Sequence, residues 1–375
     1  MTAVPINREI YEYTGPYYPA FKSGTTEKEC FQMAIGETGK LLHRVGLVFN
    51  GTGRIRVADI ACGPATTPVM CLQAIKEALS FLGIMPAFEL YVTDKNIDYT
   101  GPGGEASKTL EQAQREEIIQ RFFMTTGDAF GEFGKLFEVP FHSFNLVFVG
   151  HALYHAINDQ QVKTFLTGLT RDGLAPGGVA ILSHLEKRPG SFQYFRAKYG
   201  QAEGTDTPAL IGNPPGLVEE ICASEKLVCQ TVRYTNPYFF EPMQEANWEL
   251  FANPSRYEEI VEPAAWTNLY KLFFIALRGA IPFANDRNKS TGLSAFIQEA
   301  RAIIAPNQRE FERLGGLMPL AEAIQFIAGP GGDAQVQLTR VKEALDQKMP
   351  EFDRQALRMW VDKNQSKPWV QQRYL

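Results

Sequence analysis

Residues Arg56 to Thr67 read Arg-Val-Ala-Asp-Ile-Ala-Cys-Gly-Pro-Ala-Thr-Thr. An apolar strand ends in an acid, passes through a turn of small residues and enters a helix. This order constrains the fold more than any other part of the 375-residue chain. Small side chains let backbone approach a ligand, and a helix start offers free N–H groups. Strand and helix patterns then alternate. Residues 55–61, 88–93, 123–126, 144–150, 178–184 and 228–234 read as strands. Residues 68–82, 105–122, 159–172 and 214–226 read as helices. The alternation predicts an α/β fold with a doubly wound, mainly parallel, Rossmann-like sheet. In such sheets ligands sit outside the carboxyl ends of the strands, where the strand order reverses.

Two flanking regions complete the expected organisation. Residues 1–49 read as an aromatic N-terminal arm (Tyr11, Tyr13, Tyr17, Tyr18, Phe21) followed by a helix. Thr25 is placed to cap that helix, Glu29 lies in its first turn, and it runs to about Val48. Asn50-Gly51-Thr52-Gly53 is a turn. Residues 50–236 form the α/β domain. Residues 237–375 read as a mostly helical C-terminal cap, with helical spacing in 248–274, 293–304 and 317–327. Gly329-Pro330-Gly331-Gly332 breaks the pattern. A last strand is expected to return to the sheet at 369–374 or at 272–277.

Composition narrows the function classes. Asp and Glu number 42 against 37 Lys and Arg, for a net charge of −5. No run of basic residues marks a nucleic-acid surface. The five cysteines include no Cys-x-x-Cys pair. Neither a disulfide framework nor a zinc site is expected, which fits a reducing, cytoplasmic setting. Met1 to Tyr13 carries charges and reads as no signal peptide. No apolar run approaches the roughly 20 residues of a membrane span.

The chain resembles the class I methyltransferases that use S-adenosyl-L-methionine (SAM), whose first motif runs acidic-x-Gly-x-Gly-x-Gly. Asp59 takes the acidic place and Gly63 the central glycine, while Ala61 and Ala65 stand where glycine is usual. Further matches follow in order. The strand Glu89 to Asp94 ends in an acid, and the resemblance implies that Asp94 accepts hydrogen bonds from the ribose hydroxyls. Thr126-Gly127-Asp128-Ala129-Phe130 is the adenine segment, with Asp128 toward the exocyclic amine and Ala129 or Phe130 against the ring. Asn145 to His155 corresponds to the fourth strand and active-site loop. Leu174-Ala175-Pro176-Gly177-Gly178 corresponds to the turn before the fifth strand. The resemblance thus implies SAM as cofactor, held by Asp59, Ala61, Gly63, Asp94, Asp128, Ala129, Phe130 and Gly150, with Tyr18 of the arm near the sulfonium. A more distant likeness is to the plant carboxyl methyltransferases of small acids (the salicylic acid, benzoic acid and theobromine group). It rests on the aromatic arm, Gly63-Pro64, Asp128 to Gly131 and the 237–350 helices.

Methyl transfer is an in-line displacement that needs alignment and exclusion of water. His155 is the favoured catalytic base, with His151 beside SAM or substrate, since a neutral imidazole can take a proton. His184, Tyr154, Trp248 and Phe239 are candidate substrate contacts, and Glu186 lies beside His184. No carboxylate sits at a metalloprotease position between His151 and His155, so no metal is expected. The expected reaction is methylation of an oxygen or nitrogen of a small molecule, without nucleic-acid or membrane partners. The alternative is a non-catalytic SAM-binding scaffold. The oligomeric state, a homodimer included, is left open.

Overall fold

The computed structural model describes residues 25–49, 54–128, 139–153, 158–187, 213–237 and 320–374, together with Phe130, Phe133, Leu136, Phe137 and Ala156. The arm at 1–24, the turn at 50–53 and the stretch 238–319, which holds most of the expected cap, lie outside the described residues.

Helix α1 spans Glu27–Arg44. The Thr25 hydroxyl accepts the Glu27 N–H at 3.0 Å, so Thr25 does satisfy a donor at the helix start. Strand β1 (Arg54–Ile60), helix α2 (Thr66–Ser80), strand β2 (Ala87–Asp94), the short helix α3 (Ile97–Thr100) and helix α4 (Glu105–Arg115) follow. The expected long helix to residue 122 is therefore corrected: α4 stops seven residues earlier. Glu117 takes a left-handed backbone, φ 59°, and ends it without the glycine that usually signals such a stop. Next come β3 (Arg121–Thr126), β4 (Phe144–Gly150), α5 (Asp159–Gly168), β5 (Leu174–Leu185), α6 (Pro214–Ser224) and β6 (Cys229–Asn236). The chain ends with β7 (Leu320–Ala328), α7 (Ala334–Asn364) and α8 (Pro368–Tyr374).

The seven strands lie in the order β3-β2-β1-β4-β5-β7-β6. β1 pairs in parallel with both β2 and β4, so the order reverses between β1 and β4. β7 runs antiparallel between β5 and β6. The last strand is thus Leu320–Ala328, neither of the two expected segments. Residues 369–374 lie in α8, and 272–277 lie outside the described residues. The helical reading of 317–327 is corrected as well. Its Ala, Glu and Gln content favours helix, but both faces of the segment are covered, so it lacks the alternation that identifies a half-exposed strand. Glu322 and Gln325 are buried among apolar residues on it, 2% and 0% exposed.

Alternation sorts the strand side chains into two cores. Val57, Leu90, Leu146, Ile181, Ile324 and Phe326 face α1, α2, α4 and α7. Ala58, Val147, Ala180 and Ile327 face α5 and α6. The sheet is therefore covered on both sides, as doubly wound folds require. Among the described residues no helix is long and apolar enough to cross a membrane. All five cysteines are free thiols.

Candidate functional site

The carboxyl ends of β1, β2 and β4 meet where the strand order reverses. Strand β1 delivers Asp59, 4% exposed, and β2 delivers Asp94, 8% exposed. The turn after β1 takes left-handed backbone at alternate residues: Ala61 at φ 58°, Gly63 at 53° and Ala65 at 57°. These are the three positions of the Gly-x-Gly-x-Gly pattern. The two alanines therefore adopt the conformation that glycine adopts without strain, at a cost of roughly 1–2 kcal/mol each. The turn is fixed by its neighbours: Cys62 N–H donates to Thr93 O at 3.0 Å and Ala65 N–H to Cys62 O at 3.0 Å.

The Asp94 carboxylate ties this turn to the end of β2. One oxygen accepts the Gly63 N–H and the other the Asn96 N–H, each at 2.8 Å. A carboxylate offers about four lone-pair sites, so two remain for a ligand diol. Asp94 also acts on Asp59: burial first, and then the Asp94 charge, push the Asp59 carboxyl well above the usual range. Helix α2 starts at Thr66 with no side-chain cap, so its first N–H groups point toward the same edge.

Strand β3 brings the Thr126–Asp128 segment alongside, with Gly127 N–H donating to Asp94 O at 3.0 Å. Asp128 is exposed, and one of its oxygens accepts the Phe130 N–H at 3.0 Å. Phe130 is 5% exposed and sits edge-on to Phe165, ring centres 5.4 Å apart. It belongs to the α5-side core, which explains its apolar character independently of any ligand. Ala129 lies outside the described residues.

Strand β4 ends at Gly150, beside α2: a Cβ there would stand 3.9 Å from Thr67 Cγ2 and 3.7 Å from Ser183 Oγ. His151 follows in left-handed backbone, φ 49°, and its N–H donates to Ser183 O at 2.8 Å. Its ring lies edge-on to that of His184, centroids 6.4 Å apart. His184 is completely buried. Burial, reinforced by His151, pulls its pKa well below the ordinary value and keeps it neutral. Glu186 accepts from Arg233 Nε at 2.5 Å, and Arg233 also grips Glu219, so Glu186 is committed to an ion-pair chain on β6 and α6.

The structure thus brings Asp59, Ala61, Gly63, Asp94, Asp128, Gly150, His151 and His184 to one edge of the sheet. Tyr18, Tyr154, His155, Phe239 and Trp248 lie outside the described residues. The same edge holds residues that the sequence patterns did not single out. His151 Nε2 lies 2.9 Å from Glu27 Oε1 and 3.8 Å from Glu322 Oε1. Asn236 Nδ2 donates to Glu322 Oε2. The available signal was Glu322 itself, an acid set between Leu320-Ala321 and Ala323-Ile324.

No protein-family model matches the chain, and no curated protein matches it in sequence. Among solved structures it is similar to a loganic acid methyltransferase with SAH, at 12% identity and TM-score 0.43, over 82% of this chain and 96% of that one. It is also similar to a putative methyltransferase from Bacillus halodurans, at 12% identity and TM-score 0.39, over 78% of this chain and 99% of that one. A third is a Haemonchus contortus phosphoethanolamine N-methyltransferase 2 in complex with S-adenosyl-L-methionine, at 13% identity and TM-score 0.34, over 78% and 52%.

The turn geometry makes its own prediction. Ala61→Gly removes left-handed strain worth roughly 1–2 kcal/mol, offset by about 0.4–1 kcal/mol of unfolded-chain entropy. The variant is expected to be as stable as the parent or more stable by up to about 1.5 kcal/mol in urea denaturation. A clear loss of stability would mean that Ala61 is not left-handed.

Proposed function

We propose that the chain is a SAM-dependent methyltransferase acting on an oxygen or nitrogen of a small molecule. One observation carries the reading: a buried strand-end carboxylate, Asp94, holds the Gly63 N–H of a left-handed small-residue turn at the point where the strand order reverses. Such a site suits a nucleoside-bearing ligand, because backbone donors, a helix start and a diol acceptor converge there. In this reading the ribose hydroxyls donate to the remaining lone pairs of Asp94. The methionyl part crosses the Ala61–Gly63 turn toward Gly150, and Asp128 lies on the adenine side. His151, one residue past Gly150, stands where a methyl acceptor would approach.

The residues act mainly by placement. The enzyme aligns donor methyl and acceptor atom and shields them from water. His155, in the loop after β4, is the imidazole that takes the proton a hydroxyl or ammonium acceptor gives up, with His151 beside SAM or substrate. A scaffold reading would rest on Ala61 and Ala65, which stand where glycine is usual. Both residues take the backbone that glycine would take, which favours a working turn over a degenerate one.

The reading is tested by incubating the full chain with SAM and panels of small hydroxyl, carboxyl and amine acceptors, followed by mass spectrometry. The expected result is S-adenosylhomocysteine with a product heavier by one CH2. SAM binding without turnover on any panel would favour the scaffold, and no SAM binding would sink both.

A further inference from the structure

Three ligand-type side chains from distant parts of the chain converge beside His184. Glu27 opens α1, His151 follows β4 and Glu322 is the third residue of β7. One donor atom from each lies within 4.8 Å of the other two. We propose that Glu27, His151 and Glu322 form a site for a divalent cation of the Mn2+ or Zn2+ class. This inference does not rest on the methyl-transfer reading.

The donor set selects the ion. Imidazole suits first-row transition metals and carboxylates suit harder divalent ions, so one nitrogen with two carboxylate oxygens fits Mn2+ or Zn2+. Metal–ligand bonds of about 2.0–2.2 Å place neighbouring donors roughly 3–4 Å apart. The separations from His151 Nε2, 2.9 Å to Glu27 Oε1 and 3.8 Å to Glu322 Oε1, match that spacing.

Glu322 is the anchor. It is 2% exposed, and Asn236 occupies its other oxygen, Oε2. The Tyr234 hydroxyl also bonds this carboxyl. These contacts turn Oε1 toward His151 and Glu27, as groups behind a metal ligand do when they fix its orientation. Oε1 lies 3.8 Å from the imidazole nitrogen, on the side of the carboxyl away from the Asn236 bond. His151 is held in its left-handed backbone by the bond to Ser183 O, and strain of this kind persists where the surroundings fix a functional side chain. Three protein ligands leave at least one coordination position for water or an acceptor oxygen.

The full chain, stripped with chelator and desalted, is titrated with Mn2+ by paramagnetic resonance and with Zn2+ by calorimetry. One equivalent is expected to bind. Glu27→Gln, His151→Ala and Glu322→Gln are each expected to weaken binding by roughly tenfold or more. Because Glu322 is buried, the two partly exposed positions carry the test if Glu322→Gln does not fold. Absence of saturable binding to the parent at millimolar ion overturns the proposal, as does parental affinity in both Glu27→Gln and His151→Ala. SAM affinity measured on the same samples reports separately on the proposed cofactor site.

Discussion

Asp94→Ala is expected to weaken SAM binding about 100-fold or more. The proposed pose gives Asp94 two hydrogen bonds from the ribose hydroxyls. Bonds to a charged acceptor contribute about 1.5–3 kcal/mol each, and each 1.4 kcal/mol is roughly tenfold in affinity. The same carboxylate holds Gly63 N–H and Asn96 N–H at 2.8 Å, so its removal also frees the turn that carries Ala61 and Ala65 in left-handed backbone. Both effects act in one direction. Titration calorimetry on the parent and the variant measures the change. Asp98→Ala, an exposed carboxylate four residues on in α3, serves as the control and leaves affinity within twofold. Equal affinity of parent and Asp94→Ala would remove the cofactor from this edge.

The second large effect is structural. Phe326 is fully buried, and it pairs with Ile181 of β5 on one side and Gln230 of β6 on the other. Truncating a buried phenylalanine removes its transfer free energy and leaves a cavity, at a cost of about 3–5 kcal/mol. That is a large share of the roughly 5–15 kcal/mol by which domains are stable. Phe326→Ala is therefore expected to lower the urea midpoint sharply with little change in slope. Val336→Ala on α7, where the side chain is 51% exposed, is expected to move stability by less than about 0.5 kcal/mol. A small effect at Phe326 would show that residues 320–328 do not form the strand between β5 and β6.

These two sites also divide what the sequence revealed from what it concealed. Asp59, Gly63 and Asp94 were legible because each is local: an acid at the end of an apolar strand, or a small residue before a helix. Strand β4 was legible to the residue, since Phe144–Gly150 is nearly all apolar between polar flanks. The end of α4 was concealed because Glu117, not a glycine, takes the left-handed stop. Strand β7 was concealed because it is covered on both faces and built from helix-favouring residues. Missing β7 meant missing Glu322. Glu27, Asn236 and Tyr234 were missed with it, because only the antiparallel insertion of β7 beside β6 and α1 brings these four together. Phe130 has a second explanation that the motif did not supply: the resemblance offered it or Ala129 for the adenine ring, and its ring also packs edge-on to Phe165 in the core.

The central claim is that the cofactor lies across the Ala61–Gly63 turn with its ribose at Asp94. A crystal structure of the chain with S-adenosylhomocysteine tests this most directly. The account predicts density at the carboxyl ends of β1 and β2, with both ribose hydroxyls within hydrogen-bond reach of the Asp94 carboxylate and the sulfur directed toward Gly150. Density elsewhere in the molecule, or a ribose out of reach of Asp94, would contradict it.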